Sequence, residues 1–349
     1  MSDWIIGRAD RILVTGANGF IGTRVVENLL NKGFSRIIAF VRPSSNLTAL
    51  QRVTGSAEDD SVEVIKGNLQ SREDCRRAVD RVSLILHLAA GRGEKSYPDA
   101  FCNSVLTTRN LLDAADGRSL RRFVNVSSFT VYSNEHMRAG ALLDESCAVE
   151  TAPERSGEAY CYAKVRQEEL VREYAERLGF PYVNVRPGVV YGPGNAGIPG
   201  RVGIGTFGVF VHLGGGNRIP LCYVENCAEA IVLAGLVGGV DGETFNVVDD
   251  DLPTSRQFLA LYKRHVRDFK SIYVPRPMSR LFCSLWERYS TWSEGQLPPV
   301  FNTQKWARYW KGNTYSNAKI KRLLGWNPRV GVEDGCRRYF EYQRRVTTA

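Results

Sequence analysis

The first half of the chain alternates short apolar runs with longer amphipathic ones. Near-continuous apolar runs predict buried strands, whereas apolar residues spaced by three and four positions predict helices. Strands are predicted at residues 11–15, 36–41, 62–66, 82–90, 121–128 and 182–186, and helices at 20–32, 72–80, 100–115 and 157–178. Because strands and helices alternate and the strands are apolar throughout, we expect a parallel sheet covered on both faces.

The pattern changes after Pro187. Residues 191–220 are rich in glycine and are expected to be irregular, whereas residues 224–236 predict one more helix and residues 242–248 one more strand. The remaining residues are mostly helical in pattern and rich in Trp and Arg. We therefore expect an α/β fold with a doubly wound parallel sheet and a smaller, mostly helical C-terminal region.

Composition adds few constraints. Of the 349 residues, 43% are hydrophobic and 24% charged, which is typical of a globular protein. The first residues, MSDWIIGRADRILVTG, lack the order of a signal peptide, and the longest apolar run, residues 230–240, is too short to cross a bilayer. The eight Cys form no C-x-x-C pair and the four His lie far apart, so we expect reduced thiols, a cytoplasmic location and no metal site.

The net charge of +9 raises the question of a nucleic-acid partner. The basic residues are spread along the chain, and no helix-turn-helix, zinc-finger or RNP-like pattern occurs. We therefore expect no nucleic-acid partner. An anionic substrate or an anionic membrane surface accounts for the same charge.

Candidate chemistry begins at residues 14–22, VTGANGFIG, between the first strand and the first helix. The G-x-x-G-x-x-G spacing allows a sharp turn and close approach to a pyrophosphate, which the helix N-terminus attracts. This context predicts a Rossmann dinucleotide site. We expect the domain to cover residues 9–190, with 222–250 returning to it, and a substrate-binding region to comprise 191–221 and 251–349. The predicted contacts in the loop are Gly16, Asn18, Gly19, Phe20, Ile21 and Gly22.

The end of the second strand bears on the choice of dinucleotide. NAD sites place a carboxylate there for the ribose 2′-OH, but residues 39–46 read AFVRPSSN and contain none. Arg42, with Ser44 or Ser45, can instead hold a 2′-phosphate, although it can equally be an exposed loop residue. The sequence favours NADP, with NAD as the alternative.

A second candidate group follows the fifth strand, which ends at Ser127 and Ser128. Tyr160 and Lys164 are spaced i,i+4 on the long helix that follows and therefore share one helical face. An adjacent ammonium lowers a phenol's pKa, so that Tyr160 can exchange a proton with a substrate hydroxyl while hydride moves to or from a nicotinamide. Ser128 is expected to hydrogen-bond the same oxygen.

Two other tyrosines have a similar sequence setting. Tyr162 points away from Tyr160 around the helix and is expected to pack. Residues 315–319, YSNAK, repeat the Tyr–Lys spacing, but no serine-ended strand precedes them. They are expected to begin a helix rather than to form an active site.

Several motifs together resemble the extended short-chain dehydrogenase/reductase family, of the NAD(P)-dependent nucleotide-sugar epimerase/dehydratase type. They occur in the family's order, namely TGANGFIG, HLAA (87–90), NSVLTTRNLL, VSSFTVY, YCYAK (160–164), RPGVVYGPG (186–194), YVENCAEA, FNVVDD and LGWNP (324–328). The resemblance implies catalytic places for Ser128, Tyr160 and Lys164, and a supporting place for Asn103. It also implies a homodimer formed through residues 100–115 and 157–178. Further cofactor contacts are expected at Asn68, Leu69, Leu88, Ala89, Ala90, Tyr160, Lys164, Pro187 and Val190.

Departures from the family pattern narrow the expected reaction. Phe129 and Thr130 replace the Asp–Glu pair of the 4,6-dehydratases, which argues against water elimination. Thr130 resembles the UDP-galactose-type 4-epimerases, whereas RPGVV resembles reductases and hydroxysteroid-dehydrogenase relatives. Asn68 stands where such proteins usually have Asp.

These motifs favour C4 epimerisation of a nucleotide sugar. The alternative is an NADPH-dependent ketone reductase or hydroxysteroid-dehydrogenase-like enzyme acting on a sugar or a lipophilic substrate. The intact Ser–Tyr–Lys set argues against the third hypothesis, a non-catalytic nucleotide-binding sensor.

The sequence indicates the substrate-binding residues less clearly than the cofactor-binding ones. Ser128, Thr130, Arg218 and Arg308 are the candidate substrate contacts, and Arg201 stands in a similarly basic segment, although each Arg can equally be a surface residue. Residues 278–292 form an apolar helical stripe. It predicts a helix packed on the substrate-binding region, with a lid over a lipophilic substrate or a peripheral membrane contact as alternatives. The stripe consists of Met278, Leu281, Phe282, Leu285, Trp286, Tyr289 and Trp292.

Overall fold

The computed structural model describes residues 4–55, 61–91, 96–115, 119–206, 208–294, 296 and 301–348. The strands are β1 Arg11–Thr15, β2 Ile37–Val41, β3 Val62–Lys66, β4 Val82–His87, β5 Arg122–Val126, β6 Leu142–Leu143, β7 Tyr182–Pro187, β8 Val189–Tyr191, β9 Gly203–Thr206, β10 Val209–Leu213, β11 Leu221–Tyr223, β12 Thr244–Val247, β13 Ser271–Val274 and β14 Thr314–Tyr315. The helices are α1 Phe20–Asn31, α2 Thr48–Thr54, α3 Arg72–Val79, α4 Tyr97–Ala100, α5 Leu106–Ala114, α6 Ala159–Leu178, α7 Val224–Leu236, α8 Ser255–His265, α9 Arg276–Trp292, α10 Thr303–Tyr309, α11 Ala318–Leu324 and α12 Val332–Thr348.

The main sheet has seven parallel strands in the order β12-β7-β5-β4-β1-β2-β3. One face packs against α1 and α7 through residues such as Val25 and Ile231. The other packs against α3, α5 and α6 through residues such as Ala78, Leu111 and Val171. This arrangement confirms the predicted doubly wound sheet, because apolar strands buried on both faces require helices on both sides. The strand order reverses between β1 and β4, which opens a crevice at their carboxyl ends.

The glycine-rich segment contains regular structure, contrary to the sequence-based expectation. β10 pairs antiparallel with β9 and parallel with β13, which together form a three-stranded sheet. Glycine disfavours strands in general, which hides this pattern in the sequence. Here a Cβ on Gly203 would lie 2.2 Å from the Val211 carbonyl oxygen, so the close pairing needs glycine at that position.

Residues after this excursion return to the main sheet. β11 pairs with β8, α7 packs beside α1, and β12 adds the outermost strand next to β7. α8 and α12 pack against β8 and β11 through an aromatic cluster that includes Tyr191, Tyr223, Phe258 and Tyr339. The domain boundaries themselves stay a prediction.

Helix α9 corrects the expectation that its apolar stripe packs inward. Its buried residues are Ser279, Cys283 and Ser290, whereas Met278, Leu281, Phe282, Leu285, Tyr289 and Trp292 are exposed. The reason is that polar side chains bond α9 to α10. Trp306 Nε1 donates to Ser279 Oγ at 2.9 Å, and the Thr303 amide donates to Glu287 Oε2 at 3.0 Å. No helix in the described part of the chain is long and apolar enough to span a bilayer.

Candidate active site

The glycine loop joins β1 to α1 at the crevice. Gly16 has φ +69°, a conformation that favours glycine, and a Cβ on Gly22 would lie 2.1 Å from the Gly16 carbonyl oxygen. The first turn of α1 contains no acidic residue. Its leading N–H groups have no partner within the helix. The loop therefore fits a pyrophosphate, since an anion there accepts from these N–H groups without repulsion.

A buried row of hydrogen-bonded side chains runs from the end of β1, just before this loop, through β4 to α5 and α6. His87 lies 2.8 Å from Thr15 Oγ1 through Nδ1 and 2.8 Å from Thr108 Oγ1 through Nε2. Gln167 on α6 donates to the same Thr108 oxygen at 2.6 Å. Burial, with a smaller effect of the Lys164 charge, lowers the pKa of His87 to about 3, so the imidazole is neutral. The sequence showed His87 only as the first letter of HLAA.

Helix α6 holds the catalytic candidates against the end of β5. Lys164 Nζ donates to the Val126 carbonyl oxygen at 2.8 Å, and Cys161 Sγ donates to the Thr130 carbonyl oxygen at 3.2 Å. Ser128 lies midway in the sequence between Val126 and Thr130, whose carbonyl oxygens accept these bonds, and it is half-buried. The attachment therefore brings the first turn of α6, with Tyr160, to the serine-ended strand.

Within that turn, Lys164 and Tyr160 face each other. Lys164 Nζ is 5.9 Å from the centroid of the Tyr160 ring, and Tyr160 is 38% exposed. Tyr162 instead packs edge-on against Tyr97, with ring centroids 5.3 Å apart. The two tyrosines therefore have different surroundings, and Tyr160 is the one that solvent reaches beside the ammonium.

Lys164 is almost fully buried, and its environment disfavours its charge. Burial lowers its pKa to about 8, against the opposing attraction of Glu168 one turn further along α6. Glu168 itself accepts two hydrogen bonds from Arg186 on β7, at 2.8 and 2.6 Å. Because Arg186 already neutralises this carboxylate, Lys164 receives limited compensation for its buried charge.

We expect Lys164→Met to raise the stability of the protein. Lys164 has a folded-state pKa of about 8, below its ordinary 10.5, so between these values the unfolded state binds more protons and wild-type stability rises with pH. The variant should therefore be more stable by about 1–3 kcal/mol at pH 7, and the difference should shrink as the pH rises from about 8 to 10.5. Urea unfolding across pH measures this.

The control is Lys270→Met, because Lys270 is exposed. Its stability difference from wild type should not vary with pH. A Lys164→Met protein that is less stable than wild type by the same amount at every pH would show that burial does not disfavour the ammonium.

Asn103 occupies a single π-helical turn, Phe101–Val105, between α4 and α5. Such turns often occur at functional sites. Its side chain is exposed, and its Oδ1 accepts from Gln70 Nε2 at 3.3 Å. Asn68 Oδ1 accepts from the Gln70 amide at 3.0 Å, so Gln70 connects these two predicted residues. Nothing in the sequence pattern singled out Gln70.

The other predicted cofactor residues lie at the carboxyl ends of the strands, where a doubly wound sheet binds its ligand. Arg42 is exposed directly after β2, and Leu69 is buried after β3. Leu88, Ala89 and Ala90 follow β4, and the Ala89 amide donates to Thr15 Oγ1 at 3.2 Å. Pro187 ends β7, and Val190 lies in β8.

The predicted substrate residues are more dispersed. Thr130 is buried, and its Oγ1 has no hydrogen-bond partner among the residues the structure describes. Arg218 is exposed and donates to the Leu252 carbonyl oxygen at 2.8 Å. Arg308 is buried in ion pairs with Glu158 and Glu150. Its guanidinium is therefore already neutralised by carboxylates.

Arg201 differs from these arginines. It is buried, its Nη1 donates to the Arg308 carbonyl oxygen and to Tyr315 Oη, and it lies 5.0 Å from the centroid of the Tyr309 ring. Within the described ranges it pairs with no carboxylate. Tyr315 in turn packs 5.6 Å from Phe129, the residue after Ser128. Arg201 is therefore a buried cation, connected to the serine end of β5, that has no counter-ion in the described protein.

A glycine loop that fits a pyrophosphate, together with a serine, a tyrosine and a buried lysine where α6 meets the end of β5, is the set of features expected of a dinucleotide-dependent enzyme that moves hydride at a carbon bearing oxygen. Residues 12–247 match the family model described as the NAD dependent epimerase/dehydratase family, and the chain belongs to that family. It is thus an NAD(P)-dependent epimerase or dehydrogenase/reductase with the fold of the extended short-chain dehydrogenases/reductases.

Relatives by sequence include a dehydrogenase and a dehydratase. The chain is 28% identical to the sterol-4-alpha-carboxylate 3-dehydrogenase, decarboxylating, of Saccharomyces cerevisiae over 95% of this chain and 97% of that protein. It is 24% identical to the dTDP-D-glucose 4,6-dehydratase of Mus musculus, over 97% of this chain and 89% of that protein.

Solved structures share the fold. The UDP-glucuronic acid 4-epimerase from Bacillus cereus in complex with NAD has a TM-score of 0.71 at 18% identity, over 96% of this chain and 99% of that one. The UDP-glucose 4-epimerase of Thermus thermophilus, also with NAD, has a TM-score of 0.68 at 22% identity, with the same coverage of 96% and 99%.

Proposed function

We propose that this enzyme oxidises and re-reduces a secondary alcohol, and that its reaction is the C4 epimerisation of a nucleotide sugar. The observation that carries the proposal is the attachment of α6 to β5, where Lys164 and Cys161 bond carbonyl oxygens on either side of Ser128. The names of the two solved epimerases support the substrate class.

The proposed roles follow from the positions of the side chains. Tyr160 exchanges the proton of the sugar hydroxyl, Ser128 hydrogen-bonds the same oxygen, and the Lys164 ammonium favours the phenolate. Asn103 supports this group from the π-helical turn. Bound NAD(P) supplies the hydride acceptor and donor.

The same proposal assigns the diphosphate of the nucleotide sugar to Arg201. A buried guanidinium without a carboxylate partner gains most from an anionic ligand, because it is already desolvated. Arg218 is a second candidate for binding the diphosphate, because its side chain is exposed. Arg308 is a weaker one because of Glu158 and Glu150.

A second candidate function is a reductase or hydroxysteroid-dehydrogenase-like activity on a lipophilic alcohol or ketone. It is favoured by the neutralised Arg308, by the exposed apolar face of α9, and by the sterol dehydrogenase among the relatives. Such an enzyme changes its cofactor in proportion to product, because reduction of a ketone consumes NADPH and oxidation of an alcohol forms NAD(P)H, whereas an epimerase needs no net cofactor.

Incubation with a panel of nucleotide sugars and with sterol ketones separates the two functions. Epimer formation without a change in the absorbance of reduced nicotinamide supports epimerisation, whereas sustained loss of NADPH with a ketone supports the reductase. Cofactor binding without turnover of any substrate would contradict both and favour a nucleotide sensor.

NADP is the cofactor we propose, with NAD as the alternative, because no carboxylate follows β2 and Arg42 is exposed there. We expect Arg42→Ser to weaken NADP binding by about tenfold, the value of one charge-assisted hydrogen bond, and to leave NAD binding nearly unchanged. Calorimetric titration with each dinucleotide measures this.

Arg52→Ser is the matched control, since Arg52 is an exposed arginine on the next helix, α2. It should bind both dinucleotides as wild type does. Tighter binding of NAD than of NADP, with no effect of Arg42→Ser, would overturn the cofactor assignment.

The proposal includes a homodimer formed through residues 100–115 and 157–178, a cytoplasmic location and a peripheral membrane contact of α9. The eight cysteines are all free thiols, which suits a reducing compartment. Phe101 is an exposed aromatic residue beside α5, which suits an interface. Sedimentation equilibrium of wild type and Phe101→Glu tests the dimer.

A further inference from the structure

Helix α9 exposes its apolar side and buries small, mostly polar residues, which is the reverse of a helix that packs on a protein core. Along its length Met278, Leu281, Phe282, Leu285, Tyr289 and Trp292 fall within an arc of about 100°. This arc, here called the α9 stripe, faces solvent, with Leu281 60%, Leu285 54% and Trp292 77% exposed. Monomeric proteins seldom expose a contiguous apolar patch without a partner for it.

The stripe cannot turn inward, because the opposite side of α9 is fixed. Ser279 Oγ accepts from Trp306 Nε1, and Glu287 Oε2 accepts from both the amide and Oγ1 of Thr303. Cys283 is buried between these two attachments. Rotating the helix to bury the stripe would break three hydrogen bonds and expose a buried tryptophan, so the stripe is a stable outer surface.

α10, which holds α9, is itself bound close to the candidate catalytic helix. Arg308 on α10 forms an ion pair with Glu158, the residue just before α6, and Asn302 Nδ2 donates to the Ser156 carbonyl oxygen at 2.9 Å. The stripe is therefore connected through two rigid attachments to the turn that carries Tyr160.

Charge and residue type indicate what covers the stripe. Arg288 is the arginine of α9 that borders the stripe, because Arg276 donates to the Gly214 carbonyl oxygen and Arg280 stacks 5.6 Å from the Trp306 ring centroid on the opposite side of the helix. Arg288 is exposed and forms no ion pair within the described ranges. Tyr289 and Trp292 are residues that prefer the boundary between lipid and water. A second copy would bring a second Arg288 to the contact, whereas an anionic bilayer neutralises this charge.

We propose that the α9 stripe docks on an anionic lipid bilayer, lying in the plane of the headgroups with its apolar side chains inserted and Arg288 at the phosphates. Such a helix combines apolar burial with attraction to anionic lipid. In this docking α9 makes the membrane contact, and the lipid it contacts is anionic. It does not depend on the catalytic residues.

Vesicle sedimentation with the full chain tests the docking. Vesicles of phosphatidylcholine mixed with phosphatidylserine should pellet the wild type, and phosphatidylcholine alone should pellet much less. We expect Leu281→Gln with Leu285→Gln to lower binding by about tenfold or more, and Arg288→Glu, which lowers the charge beside the stripe by two units, to remove the preference for anionic lipid.

Matched controls change the same residue types elsewhere on the surface. Leu178→Gln with Leu261→Gln replaces two exposed leucines on α6 and α8, and Arg52→Gln with Arg76→Gln removes the same charge from α2 and α3. Both control variants should pellet as the wild type does. Equal losses in controls and α9 variants would overturn the assignment to the stripe.

Two further results would also overturn it. One is the absence of vesicle binding by wild type. The other is a dimer in sedimentation equilibrium that the leucine variant dissociates, which would make the stripe an interface between two copies. Dinucleotide titration without vesicles separates this inference from the proposed function. The α9 variants should bind the dinucleotide as the wild type does, even if docking fails.

Discussion

Tyr160→Phe is expected to lower turnover by about two to four orders of magnitude, the contribution of a positioned acid–base group. The substitution removes one oxygen from a ring that is 38% exposed and leaves the Lys164 bond to Val126 in place. Dinucleotide binding should change little, because the phosphate loop belongs to β1 and α1 rather than to α6. Single-turnover rates and dinucleotide titration of the same preparation measure both quantities.

Tyr162→Phe is the matched control. It removes the same atom from the same helix, two positions away, where the ring packs against Tyr97. We expect near-wild-type turnover. If Tyr160→Phe and Tyr162→Phe turn over every active substrate as the wild type does, the catalytic assignment is wrong.

Arg186→Met is expected to lower the free energy of unfolding by about 3–5 kcal/mol, because it leaves the Glu168 carboxylate buried and without its partner. The two side chains are 6% and 10% exposed, and the guanidinium donates two hydrogen bonds to the carboxylate. Arg186 also stacks 4.7 Å from the Tyr132 ring centroid, so packing is lost as well. Urea unfolding followed by circular dichroism measures the change.

A second variant identifies the cause. Arg186→Met with Glu168→Leu removes both charges and should recover most of the lost stability, because two apolar side chains replace the pair. Arg337→Met is the exposed control. Its ion pair with Asp334 lies in solvent, so a much smaller loss of stability is expected. Equal losses in Arg186→Met and Arg337→Met would show that burial of the pair does not matter.

These two predictions concern neighbouring turns of one helix. α6 places Tyr160 and Lys164 at the crevice, and one turn later Glu168 fixes the helix to β7 through Arg186. Loss of the ion pair is therefore expected to affect folding first, whereas loss of the Tyr160 hydroxyl affects the reaction alone. The comparison separates stability from chemistry within a single element.

Local spacing along the chain was enough to predict the central parts of this protein. Apolar runs located the strands of the main sheet, and the helical periodicity located α1, α6 and α7, because a buried face must recur with the repeat of the element. The glycine spacing located the sharp turn between β1 and α1, and the i,i+4 spacing put Tyr160 and Lys164 on one face. The fold class and the family follow from these features.

Other features depend on partners distant in the chain, and only the folded arrangement shows them. Arg308 meets Glu158, which is 150 residues away, and the buried chain through His87 joins residues from four elements. The strand pairing of β9, β10 and β13 and the outward face of α9 were likewise invisible locally. The physical reason is that an amphipathic pattern shows which residues differ in polarity, but the surrounding contacts decide which side is buried.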